Sequence, residues 1–277
     1  MTHTIKKSRR THAVSGVLAL VLIVASPQRS IAADSSDAVS ELTAPKQNVH
    51  LYLLIGQSNM SGRGEMSPSD RLPVAGVYVL DSDNHWKQAA HPLHFDKPKI
   101  AGVGLGIDFA TQMRMSDPSV TIGLVPCAVG GTSLKQWSKG GELYEAAVAR
   151  TKHAEQHGVL RGILWHQGEG DCGEKSASTY AQRLARLIAD LRSDLGQPTL
   201  PFVLGEIGEF RVGVKGRSDL VIEQQQSVPG LVEHTACVSA EGLGHKGDFS
   251  HFDAEALREF GRRYAAEMQS LGDAARK

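Results

Sequence analysis

The 277-residue sequence predicts an α/β fold in which helices cover both faces of a parallel sheet. Two observations carry this. Short, continuous apolar runs recur along the chain, as strands buried on both faces should read. Longer stretches with apolar residues at helical spacing lie between them. Right-handed crossovers then bring the carboxyl end of every strand to one edge, where α/β proteins gather their chemistry.

The elements follow in chain order. Lys6, Lys7, Arg9 and Arg10 precede an apolar run from Ala13 to Ala25 and the small residues of Ser30-Ile31-Ala32-Ala33. This is the pattern of a secretory signal peptide over residues 1–33. Its apolar run is short for a membrane span, and Pro27 also opposes an uncleaved anchor. Arg9-Arg10 fits a twin-arginine signal, although a basic pair alone does not specify that route. Residues 34–47, rich in Ser, Asp and Ala, read as a disordered lead-in, and 48–277 as one domain. Within it the expected strands are Val49–Ile55, Val120–Pro126, Gly162–Trp165, Pro201–Ile207 and Thr235–Ser239. Val77–Asp81 and Trp86–Pro92, around Ser82-Asp83-Asn84, read as a hairpin inserted before the next helix. Helices are expected over Glu142–Gln156, over Ala177–Leu195 up to Gly196, and over Asp253–Leu271, with Asp253 as N-cap.

Charge and cysteine narrow the function classes. The chain is neutral, but residues 1–33 hold five basic residues and no acid; the remainder carries 25 basic and 30 acidic residues, a net −5. Neither nucleic acid nor an anionic membrane is an expected partner. The expectation is an exported protein, periplasmic or extracellular. Cys127, Cys172 and Cys237 leave at least one thiol within a single chain. Cys127 and Cys172 both follow runs that reach the same edge, so a disulfide between them and three buried free thiols are both open.

Four loops at that edge carry chemistry. Ser58 follows the first strand and opens a helix, where its hydroxyl lies near unpaired backbone N–H groups and its own N–H can face a developing oxyanion. An ordinary N-cap serine is the alternative. Met60 excludes the Gly-x-Ser-x-Gly elbow of α/β-hydrolases. Asp248 and His251 sit after the last strand and a Gly-rich loop, and an acid three residues before a histidine can hold its Nδ1 and leave Nε2 for the serine. Two solvated loop residues would read the same way, and His245 is a competing base. Gly130 and Gly131 can offer backbone N–H groups, and Gln167 an amide N–H. Ser58, Gly130 and Gln167 would make an oxyanion hole of three donors, with Gly131 open in place of Gly130. His166, Glu169 and Asp171 invite a metal, but no second cluster joins them; Glu169 is instead expected to support the site through hydrogen bonds. No metal or cofactor is expected.

The pieces Gly56-Gln57-Ser58-Asn59-Met60, Gly130-Gly131-Thr132 with Trp137, Trp165-His166-Gln167-Gly168-Glu169 and Asp248-Phe249-Ser250-His251 resemble the SGNH hydrolases. More closely, they resemble the sialate O-acetylesterase-like branch that includes carbohydrate esterase family 6, the acetylxylan esterases. The resemblance runs from about Val49 to Leu271. It implies a flavodoxin-like three-layer α/β/α sandwich with a five-stranded parallel sheet. It also implies Ser58 as nucleophile, His251 as base, Asp248 as its partner, and Ser58, Gly130 and Gln167 as oxyanion donors, with Gln57 and Asn59 beside the nucleophile as supports. Gly170-Asp171 departs from the usual Ser-Asp after Gly-Glu, which bears on the acyl pocket. The expected function is an exported serine esterase that removes O-acetyl groups from carbohydrate, of acetylxylan or sialate type, through an acetyl-serine. The rivals are a lipid or small-ester hydrolase on the same fold, disfavoured by 5% aromatic content and the lack of an apolar lid segment, and a silent carbohydrate-binding module.

Overall fold

The computed structural model describes residues 1–4 and 42–274. Met1–Ala38 and Val39–Lys277 are separate units, and the second holds the fold. Beyond its first four residues, the expected signal peptide lies outside the described residues. Residues 42–47 of the lead-in are described; 34–41 lie outside the described residues. Leu42 and Ala44 rest against the core, and Lys46–Asn48 makes a 3-10 turn into the first strand.

The strands are β1 (Val49–Gly56), β2 (Val77–Leu80), β3 (Trp86–Gln88), β4 (Thr121–Pro126), β5 (Val159–His166), β6 (Phe202–Gly205) and β7 (Thr235–Val238). They form one sheet in the order β3-β2-β4-β1-β5-β6-β7. The expected sheet had five parallel strands; this one has seven. The difference is the hairpin. β2 and β3 pair antiparallel as expected, but β2 also pairs parallel to β4, with Val77 opposite Ile122, so the hairpin extends the sheet.

The helices are α1 (Ser58–Ser61), α2 (Gly106–Ser116), α3 (Glu142–Ala154), α4 (Glu174–Ala177), α5 (Tyr180–Asp194), α6 (Ser218–Leu231) and α7 (Ala254–Ala274). Alternation along β1 assigns the layers. Val49, Leu51, Leu53 and Ile55 face one core with Tyr144 of α3, Leu184 and Ile188 of α5 and Val221 of α6. Tyr52 and Leu54 face the other, with Phe109 of α2 and Leu257, Phe260 and Tyr264 of α7. Asp253 caps α7 as expected, accepting the Ala256 N–H at 2.8 Å. The sequence had marked no helix at α6, whose Pro229 and Gly230 mask its periodicity.

β1 lies at the centre, between β4 and β5. The chain first lays down β2 and β3, returns to place β4 beside β1, and then crosses to the β5 side. The carboxyl end of β1 is therefore the switch point at which open α/β sheets form a crevice. The three cysteines are free. The open disulfide does not form: Cys172 Sγ lies 3.4 Å from Ser218 Oγ on α6, while Cys127 lies beside Arg150 of α3, and its buried thiol is pushed up to about 11.

Candidate active site

Ser58 reaches the edge because β1 ends in Gly56. With φ at 132°, Gly56 turns the chain where a Cβ would stand 2.1 Å from the His166 carbonyl oxygen, so no other residue fits. Gln57 then donates its N–H to that carbonyl at 2.9 Å, and α1 begins at Ser58.

From the far end of the chain, the loop before α7 returns to this point. His251 Nε2 lies 3.1 Å from Ser58 Oγ, and His251 Nδ1 lies 2.6 Å from Asp248 Oδ2. The other Asp248 oxygen accepts the N–H groups of Ser250 (2.9 Å) and His251 (2.8 Å), which fixes the tight loop. Burial would lift the Asp248 carboxyl, but the His251 ring and these two N–H groups hold it at about 2. The rival histidine is elsewhere. His245 Nδ1 accepts the Gly247 N–H at 3.0 Å, and its ring makes tilted contacts with Phe210 and Phe249.

Asn59 fastens the two halves. Its Oδ1 accepts the Phe252 N–H at 3.1 Å, and its Nδ2 donates to the Ser250 carbonyl and to Glu169 Oε1. Glu169 also lies 3.4 Å from His166 Nε2. Burial would raise its carboxyl, but the His166 ring and the Arg211 charge hold it at about 2. Asp171 does not join this pair. His166 Nδ1 lies 3.3 Å from the Tyr264 hydroxyl, and Asp171 accepts from Leu134 N, Gln167 Nε2 and Arg183. Among the described residues, no group of three or more His, Cys, Asp or Glu is placed to hold a metal.

Glu169→Gln should destabilise the fold by about 2 kcal/mol at pH 7, the usual worth of a hydrogen bond to a charged group. Because the folded carboxyl titrates near 2 rather than its ordinary 4.5, the unfolded chain takes up a proton first as pH falls. Stability from this group is thus complete above 4.5 and lost towards 2, and the gap between wild type and variant should narrow over that window. Urea unfolding at pH 7, 4 and 3 reads it.

Two expected oxyanion donors need correction. Gln167 is fully buried. Its two amide hydrogens are already shared among Asp171 Oδ2 (2.7 Å), Gln57 Oε1 (3.2 Å) and the Thr132 carbonyl (3.2 Å). It joins the loops after β4 and β5 instead of facing the crevice. Gly130 donates its N–H to Asp96 Oδ2 at 2.7 Å. Asp96 is ion-paired to Arg63 at 2.7 Å; burial would raise its carboxyl, but Gly130 and Arg63 lower it. Gly131 is the open alternative, and its N–H has no acceptor among the described residues. Gln57, expected only as a support, is the amide at the crevice. Its Oε1 accepts the Gly170 N–H at 3.2 Å, which fixes the flip and leaves its N–H₂ with no acceptor among the described residues.

These groups border a pocket of about 380 Å³, lined by Gln57, Ser58, Gly131, Glu169, Arg211 and His251, with Arg63, Lys97 and Ile100 on its wall. Arg63, Asp96, Lys97 and Arg211 had gone unmarked. Arg63, Asp96 and Lys97 lie on irregular loops and Arg211 ends a 3-10 turn, none within a motif, and only the fold brings them to the edge.

Residues 48–270 match the family described as carbohydrate esterase, sialic acid-specific acetylesterase. A probable carbohydrate esterase of Arabidopsis thaliana is 34% identical over 242 residues, covering 80% of this chain and 90% of that protein. An X-ray structure of an Arabidopsis thaliana protein superposes with a TM-score of 0.74 at 35% identity, covering 81% of this chain and 98% of that one. NanS, at 16% identity, shares the fold with a TM-score of 0.69 over 83% of this chain and 99% of its own. The chain belongs to the sialic acid-specific acetylesterase family of carbohydrate esterases and is a carboxylic ester hydrolase.

Proposed function

We propose that this chain is an exported serine esterase that removes O-acetyl groups from carbohydrate through an acetyl-serine intermediate. The observation that carries the reading is the unbroken series Ser58 Oγ, His251 Nε2, His251 Nδ1 and Asp248 Oδ2, at 3.1 and 2.6 Å. His251 takes the Ser58 proton as Oγ bonds to the acetyl carbon. The carbonyl electrons move onto oxygen, where Ser58 N–H, Gly131 N–H and the Gln57 amide supply donors. Collapse expels the sugar alkoxide, which takes the proton from His251. Water, deprotonated by the same imidazole, then releases acetate and restores Ser58. Each atom in the cycle comes from ester, water or these side chains, so the reaction as written uses no cofactor.

The pocket wall bears on substrate. Lys97 is exposed, has no carboxylate partner among the described residues, and lies beside Gly130, whose carbonyl it contacts at 2.9 Å. Arg211 also lines the pocket, although its charge is offset by Glu169 beside it. The Lys97 charge supports an acidic glycan of sialate type ahead of neutral acetylxylan. Acid release should be measured, as acetate from O-acetylated sialic acid, acetylated xylan and an aryl acetate and as fatty acid from a long-chain acyl ester, with and without a serine-directed inhibitor. Inhibitor-sensitive release from an acetylated glycan supports the proposal. Preference for the long-chain ester, or no turnover of any ester, refutes it.

One prediction concerns the reassigned donor. Gln57→Ala should lower kcat by about a hundredfold or more with little change in KM, because its bond strengthens only as charge develops on oxygen. Steady-state kinetics on an aryl acetate checks the split.

A further inference from the structure

Phe249 occupies an unusual place. It stands at the apex of the loop that Asp248 ties down, with φ at +52°, and its side chain is 43% exposed. A phenylalanine in the left-handed region is strained, and glycine or asparagine would satisfy the turn at less cost. Burial does not repay the strain, since the ring remains open to solvent. One side of it is backed by two tilted ring contacts: the Phe249 and His245 centroids are 4.5 Å apart, and those of His245 and Phe210 4.7 Å. Phe210 in turn packs edge-on to buried Phe252 at 5.2 Å. The exposed ring is thus braced down to the core.

Phe249 does not itself line the pocket, but it precedes Ser250 and His251, which do, and Arg211, another lining residue, donates to the Phe249 carbonyl at 3.4 Å and to Ser250 Oγ at 3.2 Å. The pocket, at about 380 Å³, is near the low end of small-ligand sites, ~300–1,000 Å³. The sugars of a longer glycan that adjoin the acetylated one therefore extend over its rim. A pyranose ring presents C–H groups on its faces, and these pack on an aromatic face while its hydroxyls stay in water.

We propose that Phe249 is a platform on which a sugar ring next to the acetylated one stacks, so that the enzyme selects acetylated oligosaccharides over single sugars. This rests on the reading of the chain as a carbohydrate acetylesterase. The loop couples the two roles, because the turn that aims His251 at Ser58 also presents the ring.

The test compares wild type, Phe249→Ala and Phe249→Trp on three probes: an aryl acetate, acetylated xylo-oligosaccharides and O-acetylated sialyl-oligosaccharides. The readout is the ratio of kcat/KM on the better oligosaccharide to kcat/KM on the aryl acetate. Phe249→Ala should lower this ratio about tenfold, the upper range for one aromatic contact, and Phe249→Trp should hold it near wild type. A change in loop structure alone would lower both rates and leave the ratio fixed, which would overturn the platform while leaving the esterase reading standing. Wild-type activity on the aryl acetate with none on either oligosaccharide would instead overturn the carbohydrate reading, and the platform with it.

Discussion

Ser58→Ala is expected to lower kcat on an aryl acetate by at least about a thousandfold, with the fold intact by circular dichroism. Ser58 Oγ donates one hydrogen bond in the site, to His251 Nε2 at 3.1 Å, so removing it leaves packing almost untouched. His251→Ala should match it, because a serine hydroxyl without a base is a poor nucleophile near neutral pH. The two effects should not add, since both groups serve one step. His245→Ala separates the histidines. Its ring is held between Phe210 and Phe249, so its loss should leave more activity than His251→Ala leaves. The reverse order would mean the wrong base has been assigned.

Asp248→Asn carries the second large effect. The amide oxygen can still accept the Ser250 and His251 N–H groups, so the loop keeps its shape. The amide nitrogen, however, now faces His251 Nδ1, where Asp248 Oδ2 lies at 2.6 Å. That forces the tautomer with the proton on Nε2, which cannot accept a proton from Ser58. The expected loss in kcat is about ten-thousandfold, the size seen for this change in Ser-His-Asp enzymes. Kinetics with matched unfolding curves tests it. A loss below tenfold would show that the imidazole is oriented by something else.

The central strands were legible because burial on both faces makes them continuous apolar runs, and Val49–Ile55 differs from β1 only at Gly56. The extra strands were not. Val77–Asp81 reads as half of a hairpin, but nothing local says that Val77 lies opposite Ile122, a pairing across 45 residues. In α6 the run Gln224-Gln225-Gln226 and Pro229-Gly230 hide a helix that its buried Val221 and Val228 secure through packing. The site shows the same division. Asp248 and His251 are close in sequence and share one loop, so their geometry is local. Which donors remain open is decided by partners far away. Asp96, 34 residues before Gly130, occupies the N–H of that glycine. Asp171 and Thr132 occupy the Gln167 amide. Both glutamines could be placed at the edge from sequence, but only the folded network shows that Gln57 is the one facing the crevice.

The covalent intermediate is the center of the account, and peptide mass spectrometry of wild-type enzyme quenched during turnover of an aryl acetate tests it directly. A single acetyl group on the peptide containing Ser58, decaying as acetate is released and absent from Ser58→Ala, is the predicted result. Acetate release at the full rate with no acetyl group on that peptide would contradict it.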